Sequence, residues 1–161
     1  MSDILTLINA DLPSLRPTEL LGQEGEALAA NYLVQNGYRI VLTNFKVPVG
    51  RNSQGAQITG EIDVIALEDE TLCFVEVKTR RSAEFTPVIT AVDLRKQRQI
   101  TRTARIYRRI FRVFEMSYRF DVVTVLMPND REPELELSRG FWDESKFRKR
   151  SWHREVWQDH F

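Results

Sequence analysis

Two apolar segments separated by a very short polar turn constrain this chain more than any other feature of its sequence. Gly60–Leu67 and Thr71–Thr79 are rich in β-branched and aromatic residues, and only positions 68–70 lie between them. This pattern predicts two strands that form an antiparallel hairpin. Because the strands are so apolar, we expect them to lie at the centre of a sheet.

The charged residues of this hairpin fall at regular positions. A two-residue turn at positions 69–70 would set Asp63 opposite Glu76 and Glu61 opposite Lys78. Alternation along each strand then predicts that all four side chains share one face. Opposed residues have Cβ atoms roughly 4.5–5.5 Å apart, so the carboxylates of Asp63 and Glu76 could bind one cation.

Such a pair of carboxylates predicts a metal site. Two ionised carboxylates about 5 Å apart repel by roughly 3 kcal/mol at an effective dielectric near 20, which favours a bound cation. Mg²⁺ or Mn²⁺ is the expected ion, because the hairpin offers carboxylates without the His or Cys that zinc prefers. Lys78 could stabilise phosphoryl charge or help to activate water. A solvent-exposed hairpin with a Glu61–Lys78 ion pair is the simpler alternative.

The remaining pattern predicts an α/β domain with a central mixed β-sheet flanked by helices. Helical spacing and strand composition indicate the following elements: a helix over Thr18–Asn36, a strand over Tyr38–Asn44, a loop over Val47–Thr59, a long helix from about Thr90 to Phe114, and a strand over Arg119–Met127. A strand that follows the long helix predicts a parallel crossover.

The length of 161 residues, with 42% apolar residues, predicts one core domain. We place this core at residues 18–127, between an N-terminal extension, 1–17, and a charged and aromatic C-terminal extension, 128–161. The lone Cys73 excludes a disulfide framework, and no apolar run approaches the roughly 18 residues of a membrane span. We therefore expect a cytoplasmic protein with no membrane partner, and the lack of a Gly-rich phosphate loop argues against a nucleotide cofactor.

The long helix carries many basic residues and no acidic residue between Arg95 and Arg112, although acidic and basic residues are balanced at 23 each in the whole chain. At about 100° per residue, one stripe predicts phosphate contacts, and its candidate nucleic-acid-binding residues are Arg95, Arg98, Arg102, Arg105 and Arg109. Lys96 falls on the apolar side, from which it could reach the acidic hairpin. A solvated basic face is the alternative for the stripe. His153, His160 and the basic residues beside Trp152 lie in the C-terminal extension and indicate no metal site.

A set of spaced motifs spans roughly positions 20 to 126, and it includes Gly22, Gly25, Glu26, Ala29, Tyr32, Leu33, Gly37, Tyr38, Asn44, Gly60–Asp63, Phe74–Arg80, Pro87, Val92, Lys96, Ala104, Tyr107 and Arg119–Val123. These motifs resemble the bacterial YraN family, whose members are similar to Holliday-junction resolvases and to the restriction-endonuclease-like, or PD-(D/E)XK, nucleases. There are three departures: Ile62 replaces the proline of the superfamily motif, Phe85 stands where the family usually has glycine, and the loop after Asn44 is longer than usual.

The resemblance implies a restriction-endonuclease-like fold and assigns roles to single residues. Asp63 and Glu76 would bind Mg²⁺ or Mn²⁺ together with the backbone carbonyl of Val77, Lys78 would act at the phosphate or the water, and Glu26 would join the site from the first helix. The expected function is a metal-dependent endonuclease acting on DNA, with DNA favoured over RNA. A non-catalytic nucleic-acid-binding module, a protein-interaction adaptor and a homodimer stay open.

Overall fold

One five-stranded sheet with a helix on each face forms the protein in the computed structural model, which describes residues 16–82 and 92–148. In chain order the elements are α1 (Pro17–Gln35), β1 (Tyr38–Arg51), β2 (Gln57–Glu68), β3 (Thr71–Arg80), α2 (Leu94–Ile110), β4 (Tyr118–Leu126), β5 (Glu134–Trp142) and a short 3₁₀ helix (Glu144–Phe147). The strands lie in the order of the sequence. The mixed α/β architecture is therefore confirmed.

The predicted hairpin and its register are confirmed near the turn. Partners run from Glu68 opposite Thr71 to Val64 opposite Val75, as a two-residue turn requires. Asp69 adopts φ 51° in that turn, a conformation that aspartate tolerates better than most residues. The parallel crossover is also confirmed, because β3 pairs in parallel with β4 through the intervening helix α2.

The sheet separates two apolar clusters. On the α2 side, Phe74 of β3 and Ile100 of the helix are buried together with Trp142 of β5. On the other side, Ala29 and Leu33 of α1 pack into the second cluster. Both faces of β3 are therefore covered, which explains why its sequence reads as a continuous apolar run.

The first two strands extend much further than the sequence indicates. The loop predicted over Val47–Thr59 is wrong, because β1 continues to Arg51 and only residues 52–56 connect it to β2. Pro48 is tolerated because β1 is an edge strand, where a missing N–H need not break a ladder. Residues 45–51 and 57–62 pair with each other beyond the β2–β3 ladder, and we call this two-stranded extension the arm.

Two further boundaries differ from the expectation. Helix α2 ends at Ile110 rather than Phe114, and Arg112 just beyond it adopts φ 54°. The predicted start near Thr90 lies outside the described residues. A fifth strand, β5, occupies part of the segment assigned to the C-terminal extension, and Trp142 stacks on Phe120 with ring centroids 4.7 Å apart. None of the helices within 16–82 and 92–148 is long and apolar enough to cross a membrane.

Candidate active site

The acidic hairpin residues lie where β2 separates from β3. By the β1–β2 register, Asn44 lies opposite Asp63, and Asn44 adopts φ 53°, which interrupts the regular strand. Beyond Val64 the carboxylate of Asp63 takes over the role of a ladder acceptor, since its Oδ2 accepts the backbone N–H of Val77 at 2.8 Å. The separation therefore leaves an acidic side chain between two central strands.

Glu76 is the most deeply buried acid of this site, with only 2% of its side chain exposed. Its Oε1 lies 3.0 Å from Nζ of Lys78 and 3.5 Å from Nζ of Lys96. Its Oε2 is buried and has no hydrogen-bond partner. Burying an incompletely paired carboxylate costs free energy. Oε2 is therefore available to bind a cation or to accept a hydrogen bond.

The predicted approach of Lys96 from the apolar side of α2 is borne out by this contact with Glu76. Glu26 approaches from the opposite helix, α1. Burial, then the negative charges of Glu61 and Glu76, raise the pKa of Glu26. The structure therefore brings Glu26 into the field of the hairpin acids.

Asp63 feels groups from both faces of the sheet. Burial and the charge of Glu76 raise its pKa to about 7, and the N–H of Val77 acts in the opposite direction. Glu26 on α1 adds to the rise, whereas Lys96 on α2 reduces it. Charged groups from both helices and from β3 therefore act on Asp63 in the gap between β2 and β3.

The expectation that the four charged hairpin residues share one face is wrong. Glu61 and Asp63 line a cavity beside α1, whereas Lys78 lines a separate groove beside α2. Glu61 pairs with Lys46 of β1 at 3.2 Å instead of with Lys78. The reason is that the β2–β3 ladder ends at Val64, so the predicted register does not extend to these positions.

The donor set fits Mg²⁺ or Mn²⁺ in the manner of an ion shared with substrate. Within the described ranges, no three His, Cys, Asp or Glu side chains are grouped to hold a metal by themselves. Mg²⁺ commonly takes one or two carboxylates and completes its shell with water and phosphate oxygens. Asp63 and the unpaired oxygen of Glu76 are the groups that would supply such a pair, and Glu76 is near enough for its charge to raise the pKa of Asp63. The carbonyl of Val77 projects to the same strand edge as its N–H, which faces Asp63.

The arginine stripe is divided by its surroundings. Arg95, Arg98 and Arg102 line the groove that also contains Lys78. Arg105 instead forms an ion pair with Glu144. Arg109, exposed in the last turn of α2, does not line that groove.

Sequence reasoning missed two contributors to the site. Lys46 neutralises part of the acidic cluster through Glu61, and Gln99 of α2 donates to the carbonyl of Thr59 on the arm at 2.8 Å. Both depend on β1–β2 pairing beyond Asn44. The available signal was the recurrence of Phe45, Val47 and Val49 at every second position, which is typical of a strand, but Pro48 and Gly50 between them obscure it.

Known proteins are similar in sequence to this chain over most of its length. The model of the uncharacterised protein family UPF0102 matches residues 25–125. A UPF0102 protein of Chlorobium limicola is 38% identical over 131 residues, covering 78% of this chain and 94% of its own. A UPF0102 protein of Paenarthrobacter aurescens is 37% identical over 126 residues, covering 78% and 96%.

One relative from Acetivibrio thermocellus, also a UPF0102 protein, is 42% identical over 106 residues, covering 66% of this chain and 75% of its own. Among solved structures, the crystal structure of SSO0001 aligns with 81% of this chain and 56% of its own at 20% identity. Its TM-score of 0.37 is too low to carry an argument. The family match and the relatives agree with the resemblance found in the motifs, and the chain belongs to UPF0102, the YraN family.

Proposed function

We propose that this protein is a metal-dependent endonuclease that hydrolyses phosphodiester bonds in DNA, with branched or otherwise structured DNA as the substrate class. The observation that supports this most strongly is the partly unpaired carboxylate of Glu76, which is buried beside two lysines and raises the pKa of Asp63. A purely structural acid would have its lone pairs satisfied by the fold. Resemblance to restriction-endonuclease-like nucleases points to the same chemistry.

Each residue then has a distinct role. Asp63, Glu76 and the carbonyl of Val77 would hold Mg²⁺ or Mn²⁺, which when bound supplies Lewis-acid stabilisation of charge on the phosphate. Lys78, held at Glu76 and about one-third exposed, places an ammonium group beside the scissile phosphate and stabilises the charge that develops there. Glu26 adds negative charge from α1 and favours retention of the cation.

Cleavage assays test this proposal directly. Purified protein is incubated with labelled duplex, single-stranded and four-way-junction DNA in Mg²⁺, in Mn²⁺ and in EDTA. We expect metal-dependent cutting that Glu76→Gln and Lys78→Met each reduce by at least about 100-fold, a typical loss for a residue that stabilises the transition state. Glu70→Gln is the matched control, because this acid lies at the opposite end of β3 in the exposed turn. Cutting that persists unchanged in both site variants would refute the assignment.

A second candidate is a nucleic-acid-binding module without catalysis. The two ammonium groups at Glu76 favour it, because they already offset the buried charge without any metal. This candidate predicts binding that weakens steeply with salt and does not depend on Mg²⁺. Salt-sensitive binding with no cleavage of any of the three DNAs would favour it over the nuclease.

A further inference from the structure

A groove runs from the candidate site along the first half of α2. The arm forms its other wall. Its lining contains five cations, Lys78, Arg95, Lys96, Arg98 and Arg102, against the single acid Asp93. Asp93 is occupied as the N-cap of α2, since its side chain accepts the N–H of Lys96 at 2.8 Å. The groove is therefore strongly cationic although the whole chain has no net charge.

Two arginines on the second half of α2 are engaged elsewhere. Arg105 pairs with Glu144, and Arg108 lies over the ring of Tyr118 at 3.9 Å and donates to the carbonyl of Phe114. These contacts tie the helix to the end of the sheet and to the 3₁₀ helix. The groove beside the site is instead lined by Arg95, Arg98 and Arg102, of which Arg98 also lies 5.6 Å from the ring centroid of Phe147.

The groove has one charged wall and one apolar wall. Val49 and Ile58 of the arm, both partly buried, contribute the apolar side. The arginines of α2 contribute the opposite side. A phosphate fits the guanidinium groups, and a sugar or base fits the aliphatic wall, so the chemistry matches one nucleotide unit.

Contacts between the arm and α2 fix the width of the groove. Gln99 bonds to the carbonyl of Thr59, and Gly60 approaches Thr103 and Val49 so closely that a Cβ at this position would collide with both. The groove is open to solvent and has a volume of about 470 Å³. Clefts of this size hold one drug-sized molecule, and a single nucleotide is of that size.

We propose that this groove binds one unpaired nucleotide of the strand that leaves the scissile phosphate, so that the protein acts where a duplex frays or branches. The inference rests on the proposed nuclease function, because Lys78 belongs to both the site and the groove. It narrows the substrate class of that function to DNA in which a single strand emerges next to the cleaved bond.

Binding without cleavage separates this inference from the activity. Fluorescence anisotropy in EDTA compares a blunt hairpin DNA with the same hairpin carrying a short single-stranded extension at its 5′ or 3′ end. We expect the wild-type protein to bind one of the extended hairpins about tenfold more tightly, a difference of about 1.4 kcal/mol, because the extension adds a phosphate contact in the groove. Equal affinity for blunt and extended DNA would overturn the proposal, whether or not the protein cuts DNA.

Variants assign the preference to the groove. Arg102→Gln should remove most of the preference and lower the slope of log K against log salt by about 0.7, as loss of one single-strand phosphate contact requires. Ile58→Glu places a negative charge on the arm wall and should also reduce the preference for extended DNA. Arg95→Gln should reduce it as well, through a change on α2 that leaves the arm intact. Arg39→Gln, an exposed change at the opposite end of the sheet, should leave the preference intact. A preference that survives all three groove variants would contradict the assignment.

Discussion

At the level of single residues, Asp63 shows how a buried carboxylate without metal lowers the stability of the fold when it ionises. Burial and the neighbouring Glu76 raise its pKa from an ordinary 3.8 to about 7. The folded state therefore holds a proton that the unfolded chain releases above pH 4 or so. Stability contributed by this group is fully present below the unfolded pKa and is lost as the pH rises towards 7.

The pH dependence of unfolding tests this reasoning. In EDTA, Asp63→Asn should have a free energy of unfolding that exceeds the wild-type value increasingly between pH 4 and 8, by at most about 4 kcal/mol. Asparagine keeps an acceptor for the N–H of Val77, so the comparison isolates the charge. Added Mg²⁺ should narrow the difference at pH 8 by stabilising the ionised wild type. Parallel curves for the two proteins in EDTA would contradict the buried-charge account.

Among the secondary-structure elements, α1 depends on one close approach to deliver Glu26. A Cβ at Gly25 would lie 2.8 Å from Cβ of Thr79 on β3 and even closer to its hydroxyl. Glycine therefore lets the helix backbone reach the strand, and the adjacent Glu26 is carried towards the site. This explains in physical terms why the helix has glycine at a buried position, where alanine would be the better helix former.

Substitution along α1 separates packing from helix propensity. Gly25→Ala should destabilise the protein by roughly 1–3 kcal/mol through overpacking and should weaken metal-dependent cleavage by shifting Glu26. Gly22→Ala, on the same helix with nothing within 4 Å of the added Cβ, should instead stabilise it by up to about 1 kcal/mol. Thr79→Ala combined with Gly25→Ala should recover part of the loss. Chemical denaturation of the four proteins checks these signs, and equal effects at the two glycines would disprove the close-contact explanation.

The elements also show what the sequence can and cannot predict. The hairpin register was predictable because the turn length and the alternation agree. The arm was not, because Pro48 and Gly50 suggest a loop when it is unknown that β1 lies at the edge of the sheet. Strand β5 carried a signal, Leu135 and Leu137 alternating with glutamates, but its pairing is interrupted by a bulge opposite Asp121. Tertiary position decided the last two cases, whereas local pattern was enough for the first.

Across the whole molecule, the two faces of the sheet satisfy their buried carboxylates differently. Asp121, on the α1 face, is fully buried and accepts from the Tyr38 hydroxyl, from Arg119 and from the N–H of Gly140, so the fold satisfies it completely. Glu76 lies one register position further along the neighbouring strand, on the α2 face, and keeps one oxygen without a partner. The motifs identified both acids, but only the three-dimensional contacts distinguish the structural one from the one available to a ligand.

This contrast predicts opposite responses to metal. Asp121→Asn breaks a buried, charge-paired network, so it should lower the free energy of unfolding by about 3–5 kcal/mol. The gain in that free energy on adding Mn²⁺ should nevertheless remain. Glu76→Gln removes a proposed ligand, so the stability gained from Mn²⁺ should disappear. In the wild type this gain should reach about 2.7 kcal/mol when Mn²⁺ is at 100 times its Kd. Thermal melts with and without Mn²⁺ measure both quantities for each protein. An Mn²⁺ response that is lost in Asp121→Asn and retained in Glu76→Gln would place the ion at Asp121 on the α1 face, away from the lysines of the proposed chemistry.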